Sequence, residues 1–355
     1  MEPVVLALAS NERYFQGLYC AVASALCHLD GAREADVRVL DGGISETSRD
    51  ILSDLVGRFG NRVRLEFVPT DESIFRDATL GPGRSHMAYC RVLLPCLLEV
   101  ARVIYLDSDI LVFRDLSELF GLELSADKPV AAVRDSETLT LGSDSRTLAS
   151  VMKLPPNGAY FNSGVMLLNL NELRKENFSE KSFEFFENWR GDYRFHDQSA
   201  FNFLLHGQIH ELPEHWNRAS WRFDQQKNNS LDCVLHYTGS VPWLVGTPGP
   251  AQELFERFAA EAGRPVNRSS RSFRKAVRQR LWRNGLAPLR ALAFPVASLL
   301  CRLAGKKNKA ARYQKAGRYW FDYMHQAPGR RRVHRQRSEE ISRMKFDLNA
   351  SLPVS

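Results

Sequence analysis

Short runs of Val, Ile, Leu and Ala alternate along the chain with longer segments in which apolar residues recur at helical spacing. Short apolar runs bounded by polar or turn residues are typical of buried strands. The predicted strands are Val4 to Ala9, Val37 to Leu40, Val63 to Val68, Val103 to Leu106, Val130 to Val133, Val165 to Leu170 and Cys233 to His236. Helical spacing predicts helices at Gln16 to His28, Glu46 to Phe59, Met87 to Val100 and Asp115 to Phe120.

This alternation of strands with helices predicts an α/β fold, with a mostly parallel, Rossmann-like sheet and helices on both faces. Ligands of such sheets bind beyond the carboxyl ends of the strands. Residues that directly follow a strand are therefore the first candidates for chemistry.

Length and charge divide the chain in two. Its 355 residues exceed the ~100 to 200 residues of a usual single core, so one large domain with an appendage, or two domains, is expected. Residues 264–345 carry 23 Lys and Arg against three acids, whereas residues 1–263 carry 25 against 37. The composition also changes near Gly263 to Ser270. We predict an acidic domain over 1–263 and a basic extension over 264–355, with the last ~10 residues untethered.

The basic extension contains an apolar stretch, Leu286 to Leu303, followed by a cluster of aromatic residues between Tyr313 and Tyr323. Two prolines and two arginines interrupt the apolar stretch. A membrane-spanning helix is therefore disfavoured, and a segment that lies in the membrane interface is favoured.

Cysteine usage and the N-terminus indicate a reduced, cytoplasmic protein. The six cysteines form no C-x-x-C pair, and the first five lie in apolar segments where a free thiol packs as a small hydrophobe. They are Cys20, Cys27, Cys90, Cys96, Cys233 and Cys301. The N-terminus lacks the basic region of a signal peptide and is predicted to be a first strand.

The strongest chemical motif is Asp107-Ser108-Asp109, which follows the apolar run that ends at Leu106. Hard divalent cations prefer oxygen ligands, and two carboxylates at a strand end can hold a cation that also neutralises a diphosphate. The alternative is an acidic turn that caps the next helix. The apolar strand in front favours the metal site, because it brings both acids to the ligand edge of the sheet.

A second motif is His236-Tyr-Thr-Gly239, directly after another apolar run. Neutral imidazole is a good ligand for an ion such as Mn²⁺, and glycine lets the backbone approach a phosphate closely. The alternative is a structural histidine held by hydrogen bonds.

Three further polar positions suit a sugar. Asn162 precedes the predicted strand at Val165, Asp135 follows the strand that ends at Val133, and Asp197-Gln198 precede a predicted helix at Ser199 to Leu205. Amide and carboxylate groups bind sugar hydroxyls well. Both acids could instead cap helices, and this alternative stays open.

In order and spacing, these motifs resemble those of glycosyltransferase family 8, the retaining sugar transferases that include lipopolysaccharide galactosyl- and glucosyltransferases and the glycogenins. The resemblance covers Val4 to about Ala260. Its motifs are the opening strand with Asn11 and Tyr14, Ser-His-Met-Ala-Tyr-Cys-Arg-Val-Leu-Leu-Pro at 85–95, Tyr-Leu-Asp-Ser-Asp, Tyr-Phe-Asn-Ser-Gly-Val, Asp-Gln, and His-Tyr-Thr-Gly followed by Pro-Trp.

The resemblance implies a GT-A fold that takes a UDP-sugar with Mn²⁺ or Mg²⁺. It implies that Asp107, Asp109 and His236 hold the metal, and that Tyr14 stacks on uracil beside Ala9 and Asn11. It places Arg91, Asp135, Asn162, Asp197 and Gln198 around the donor sugar, Gly239 against the diphosphate and Ser108 in the donor site.

The sequence departs from the family pattern in two places. Asn11 stands where many members have Asp, and Arg13 stands where an Asn is common. Val241 occupies the region where a Lys commonly contacts the diphosphate. Without another cation, stabilisation of the leaving group depends more heavily on the metal.

The expected activity is retaining transfer of galactose or glucose from a UDP-hexose to a saccharide or lipid-linked acceptor, in lipopolysaccharide or other surface-glycan synthesis. Gln198, with Asp197, would be the catalytic pair, and because an amide is a poor nucleophile we expect front-face attack. The alternatives are a degenerate nucleotide-sugar-binding protein without catalysis and simple hydrolysis of the donor.

For a sugar transferase, the basic extension is expected to bind an anionic membrane surface rather than nucleic acid. The protein is then expected to be peripheral on the cytoplasmic face of a membrane. A solvated extension is the alternative.

Overall fold

A computed structural model describes residues 2–78, 86–225, 230–238, 241–243 and 249–266, together with residue 314 and residues 339–341. The structure thus covers most of the predicted acidic domain. The apolar stretch Leu286 to Leu303, the aromatic cluster and Cys301 lie outside the described residues.

The described part has a mixed α/β architecture with a central seven-stranded sheet in the order β3-β2-β1-β4-β7-β6-β8. Strand β7 is antiparallel to β4 and β6, and the other neighbours in this sheet are parallel. The strands of the chain are β1 Val4–Ser10, β2 Ala35–Asp41, β3 Val63–Pro69, β4 Arg102–Leu106, β5 Ile110–Val112, β6 Val130–Arg134, β7 Phe161–Asn169, β8 Ile209–Leu212, β9 Arg218–Ala219 and β10 Val234–His236. The prediction of a mostly parallel α/β sheet is confirmed.

Helices connect most of these strands. They are α1 Phe15–His28, α2 Glu46–Gly57, α3 Leu94–Leu97, α4 Ser117–Phe120, α5 Leu141–Val151, α6 Leu170–Lys175, α7 Phe178–Asn188, α8 His196–Leu204, α9 Ser220–Gln225 and α10 Pro250–Glu261. No helix among the described residues is both long and apolar enough to cross a membrane.

The predicted helix from Met87 to Val100 is wrong in type. Met87–Leu93 forms a 3₁₀ helix, and only the single turn of α3 follows it. Pro95 has no N–H to donate, and in an α-helix its ring would clash with the carbonyl of Arg91. The tighter 3₁₀ helix therefore forms where an amphipathic α-helix was predicted.

A second sheet of three strands, β5-β10-β9, brings distant parts of the chain to the end of β4. Strand β10 is antiparallel to β5, with His236 opposite Ile110, and parallel to β9. Helix α1 is tied to this sheet, because the Ser24 hydroxyl accepts the Val112 N–H at 2.9 Å. Because His236 pairs with Ile110, it is held beside Asp109, the residue that precedes Ile110.

The core matches the predicted apolar strands. All residues of β1 are buried, as are four of the five in β4. The five described cysteines are free, which agrees with the prediction, and Cys20, Cys90 and Cys233 are buried. Cys96 is exposed, so its interpretation as a packed small hydrophobe is wrong.

A short part of the predicted extension contacts the rest of the chain. Ile341 is buried in the hydrophobic core, and its carbonyl accepts a hydrogen bond from Arg257 of α10. The division of the chain at residue 263 stays a prediction.

Gly17 on α1 marks a close approach to the Asp107-Ser108-Asp109 turn. A Cβ there would overlap the Trp243 ring and the backbone oxygen of Ser108. We expect Gly17→Ala to lower the free energy of unfolding by about 1–3 kcal/mol, as overpacking does.

Gly57, at the end of α2, is the matched control, because a Cβ there meets nothing within 4 Å. Gly57→Ala should stabilise by up to about 1 kcal/mol. Urea denaturation of both variants checks the pair, and equal effects would contradict the close approach at Gly17.

Candidate active site

Two carboxylates and one imidazole converge where β4 ends. Asp107 follows β4, Asp109 precedes β5, and His236 is the last residue of β10. One ligand atom from each lies within 4.8 Å of the others. The Nε2 atom of His236 is 3.3 Å from Asp109 Oδ1 and 3.7 Å from Asp107 Oδ2. These three residues could hold one divalent cation, which was the prediction from the sequence.

The turn between the two acids is held by backbone and buried contacts. The Tyr237 N–H donates to the Asp109 carbonyl at 2.9 Å, and the Asp107 N–H donates to the Gly164 carbonyl at 2.8 Å. The alternative of a helix cap does not apply, because Asp115 accepts the Ser117 N–H at the start of α4.

Gly164 leaves room for this cluster. A Cβ at this position would overlap the His236 ring and lie 2.8 Å from Asp107 Oδ2. Gly164 lies near the start of β7, and this antiparallel strand begins at the edge where β4 ends. The lack of a side chain at Gly164 therefore lets the His236 ring lie close to β7 and beside Asp107.

The ionisation of His236 reflects the two acids. Burial alone would lower the pKa of His236, but the carboxylates of Asp109 and Asp107 raise it above its usual value. The surroundings therefore favour positive charge at this point. Carboxylate oxygens with one imidazole nitrogen form a donor set that suits ions such as Mn²⁺ and Mg²⁺.

Arg91, on the 3₁₀ helix 87–93, is buried beneath the acids at 4% exposure. Its Nη2 is 2.8 Å from Asp107 Oδ1, and its Nε is 2.9 Å from Asp197 Oδ2. Its Nη1 donates to the carbonyl and hydroxyl oxygens of Ser163 at 2.6 and 3.0 Å. The guanidinium also lies 4.6 Å from the centre of the Tyr105 ring. Arg91 thus joins the candidate cation ligand Asp107 to helix α8.

Asp197 lies in the first turn of α8, which begins at His196 rather than at Ser199 as predicted. Its carboxylate contacts Arg91 and accepts the Ser163 hydroxyl at 3.3 Å. Burial raises the pKa of Asp197 to about 6, against the opposing effect of Arg91. Through these two contacts, the Asp197 carboxylate is bonded to groups inside the candidate site.

Gln198, Asp135 and Asn162 form a neighbouring network. Asp135 Oδ2 accepts the Gln198 amide at 3.2 Å and the Asn162 amide at 3.0 Å. Gln198 Oε1 in turn accepts the Ser163 N–H at 3.1 Å. Asp135 Oδ1 accepts the N–H groups of Glu137 and Thr138 at 2.8 and 2.7 Å. Three of the sugar candidates from the sequence are thus brought together by direct hydrogen bonds.

The nucleotide candidates lie at the end of β1. The Ser108 hydroxyl donates to the Ala9 carbonyl at 2.9 Å and is buried. Tyr14 is half-buried and meets the Trp243 ring edge-to-face at 5.8 Å. Burial, assisted by Asp109, raises the pKa of Tyr14. Asn11 donates to Glu72 at 3.5 Å.

Gly239 lies outside the described residues, so its predicted place against a diphosphate stays a prediction. No role was predicted from the sequence for Asn217, which contacts His236, or for Ser163 and Gly164. Ser163 and Gly164 stand beside Asn162 in a motif that was recognised. Asn217 has no motif around it that could have identified it.

The chain matches the family described as glycosyl transferase family 8 over residues 5–245. General stress protein A of Bacillus subtilis (strain 168) is 30% identical over 269 residues, which cover 70% of this chain and 90% of that protein. Lipopolysaccharide 1,2-glucosyltransferase of Escherichia coli (strain K12) is 30% identical over 157 residues, which cover 41% of this chain and 45% of that protein.

Two solved structures of LgtC share the fold. An active-site mutant of LgtC gives a TM-score of 0.62 at 22% identity, covering 72% of this chain and 95% of that chain. The galactosyltransferase LgtC in complex with donor and acceptor sugar analogs gives 0.61 at 22% identity, covering 76% and 98%. At this identity the likeness establishes the GT-A fold, as the sequence predicted.

The raised pKa of Asp197 predicts a pH dependence. Below about pH 6 this carboxyl takes up a proton and loses its ion pair with Arg91. At saturating cation, kcat/KM for sugar transfer should fall by up to about tenfold per pH unit below that value. Asp197→Asn is an uncharged variant of the same shape. Its kcat/KM should be low at every pH and should not show this fall at acid pH. An unchanged acid limb in Asp197→Asn would contradict the assignment.

Proposed function

The chain belongs to glycosyltransferase family 8, and we propose that it transfers a galactose or glucose residue from a UDP-hexose to a saccharide or glycolipid acceptor, with retention of configuration and with Mn²⁺ in the site. The observation that carries this proposal is the cluster of Asp107, Asp109 and His236 beside the Asp135–Asn162–Gln198 network. The two groups of residues match the two needs of the reaction, which are a held diphosphate and an oriented sugar.

Asp107, Asp109 and His236 would hold the divalent cation, which when bound supplies Lewis-acid stabilisation of the negative charge on the departing diphosphate. The half-buried ring of Tyr14 at the end of β1 would stack on the uracil, with Ala9 and Asn11 beside it. The Ser108 hydroxyl holds the turn against Ala9, and Ser108 would lie in the donor site from this position.

Asp135, Asn162 and Gln198 would face the donor sugar, since all three lie at the same edge of the sheet and are joined by hydrogen bonds. Arg91 would act from below, because its guanidinium is enclosed by Asp107, Asp197 and Ser163. We assign it the role of holding Asp107 and Asp197 in place.

In the proposed reaction, the bond between the anomeric carbon and the β-phosphate oxygen breaks, and a bond from that carbon to an acceptor hydroxyl oxygen forms. The hydroxyl proton passes to the departing diphosphate, so that the products are the glycosylated acceptor and UDP. The positive charge that develops on the sugar is close to the acidic side chains of Asp135 and Asp197, which favour it electrostatically.

Retention requires either a covalent intermediate or attack from the face of the leaving group. Gln198 is an amide whose oxygen accepts the Ser163 N–H and whose nitrogen donates to Asp135. Asp197 is paired with Arg91, and both oxygens of Asp135 accept hydrogen bonds. These contacts support positioning roles for Gln198 and Asp197 and favour front-face attack.

The basic extension over 264–355 would attach the protein to an anionic membrane surface on the cytoplasmic side, where lipid-linked acceptors are available. The support is its 23 Lys and Arg against three acids over 264–345. Co-sedimentation with anionic vesicles that is equal for the full chain and for a chain ending at residue 266 would contradict this attachment.

The experiment that tests the function is UDP release by the purified full-length chain from a panel of UDP-sugars, with an acceptor mixture, in Mn²⁺ or in EDTA. We expect turnover of one UDP-hexose that needs both Mn²⁺ and acceptor. Asp109→Ala should lower kcat/KM by at least about 10²-fold, because it removes a cation ligand.

Asp50→Ala is the matched control, because Asp50 is an exposed acid of α2, and it should leave turnover unchanged. The anomeric coupling in the product, read by proton NMR, tests retention. Binding of a UDP-sugar without turnover would instead support a non-catalytic binding protein, and release of UDP that is independent of acceptor would support simple hydrolysis.

A further inference from the structure

Asn217 links the candidate cation site to the sugar-facing network. It lies between the 3₁₀ helix 214–216 and strand β9, and it is 8% exposed. Its Oδ1 is 2.9 Å from His236 Nδ1, and its Nδ2 donates to Asn162 Oδ1 at 2.8 Å. A buried amide therefore connects a cation ligand with a residue that bonds to Asp135.

The orientation of the Asn162 amide is determined by groups whose hydrogen-bonding polarity cannot change. The Gly164 N–H can only donate, and it donates to Asn162 Oδ1 at 2.9 Å. At the other end, Asn162 Nδ2 donates to Asp135 Oδ2 at 3.0 Å. The same oxygen accepts the Gln198 amide, and Asp135 Oδ1 accepts two backbone N–H groups. Asn162 is thus oriented from both sides.

The orientation of Asn162 determines that of Asn217 in turn. Because Asn162 presents its oxygen, Asn217 must present its amide nitrogen there and its oxygen to His236. The oxygen of an amide accepts only, so Nδ1 of His236 must carry a proton to bond to it. In a ring that carries a single proton, the lone pair is then on Nε2, the atom that faces Asp107 and Asp109.

We propose that Asn217 is a positioning residue that sets the tautomer and the ring orientation of His236, so that Nε2 is available to a divalent cation. A backbone N–H of β7 thereby determines, through two amides, which nitrogen of His236 can bind the cation. This inference rests on the proposed cation site, but it does not depend on which sugar is transferred.

The first test measures Mn²⁺ binding to the full-length protein without nucleotide, by the EPR signal of free Mn²⁺. Asn217→Leu has a similar volume and no acceptor, and it should weaken binding by about 10–100-fold, as loss of a partner behind a ligating histidine does. Asn217→Asp keeps an oxygen for the Nδ1–H group and should recover most of that loss.

Asn169→Leu is the matched control. Asn169 is a partly buried asparagine at the far end of β7, where its side chain accepts the Glu172 N–H at the start of α6. Its loss should lower stability, as loss of a helix cap does, but leave the affinity for Mn²⁺ unchanged. The control therefore separates general destabilisation from loss of the His236 contact.

The second test reads the tautomer directly. In metal-free protein labelled with ¹⁵N-histidine, at a pH where the ring is neutral, the His236 signals are those absent from His236→Ala. They should show a protonated Nδ1 in the wild type and a substantial Nε2–H population in Asn217→Leu.

The outcomes separate this inference from the proposed function. If Asn217→Leu binds Mn²⁺ as tightly as the wild type, or if wild-type His236 carries its proton on Nε2, the role of Asn217 is overturned while sugar transfer can still stand. If the wild type binds no Mn²⁺ at all, the cation site fails, and this inference fails with it.

Discussion

The candidate site depends on one buried positive charge. The Arg91 guanidinium lies between Asp107 and Asp197, at 2.8 and 2.9 Å, with 4% of its surface exposed. Burial raises the pKa of the Asp197 carboxyl, and the charge of Arg91 opposes that effect. Asp109 and Asp135 add further negative charge nearby. Within the described part of the site, the acids thus outnumber the Arg91 guanidinium. Such an excess of acidic groups is the electrostatic condition under which a divalent ion binds well.

The second constraint is the direction of one strand. Strand β7 runs antiparallel to β4, so its first residues, rather than its last, lie at the edge where Asp107 is found. This places Asn162, Ser163 and Gly164 together at the site: one orients an amide, one binds Arg91, and one leaves space beside His236. A parallel strand in this position would have sent the same motif to the opposite edge.

Much of this arrangement could be predicted from the sequence, because strand ends carry recognisable patterns. Asp107 and His236 directly follow apolar runs, and the alternation of strands and helices predicted the sheet that gathers them. The reversal of β7 could not be predicted from periodicity, which is the same in both directions. The prediction of an α-helix around Arg91 was wrong. The apolar residues there have helical spacing, but Pro95 disfavours a continuous α-helix. Asn217 stands in an irregular segment, and only the folded chain brings it to His236.

The proposed function depends on one property of the site, which is that Asp107, Asp109 and His236 together hold a divalent cation that contacts the diphosphate of a nucleotide sugar. Its most direct test is a crystal structure of the full-length chain with Mn²⁺ and UDP, measured at the manganese absorption edge. We expect an anomalous peak bonded to both carboxylates, to Nε2 of His236 and to the UDP diphosphate. A peak elsewhere, or UDP bound with no manganese between these three side chains, would contradict it.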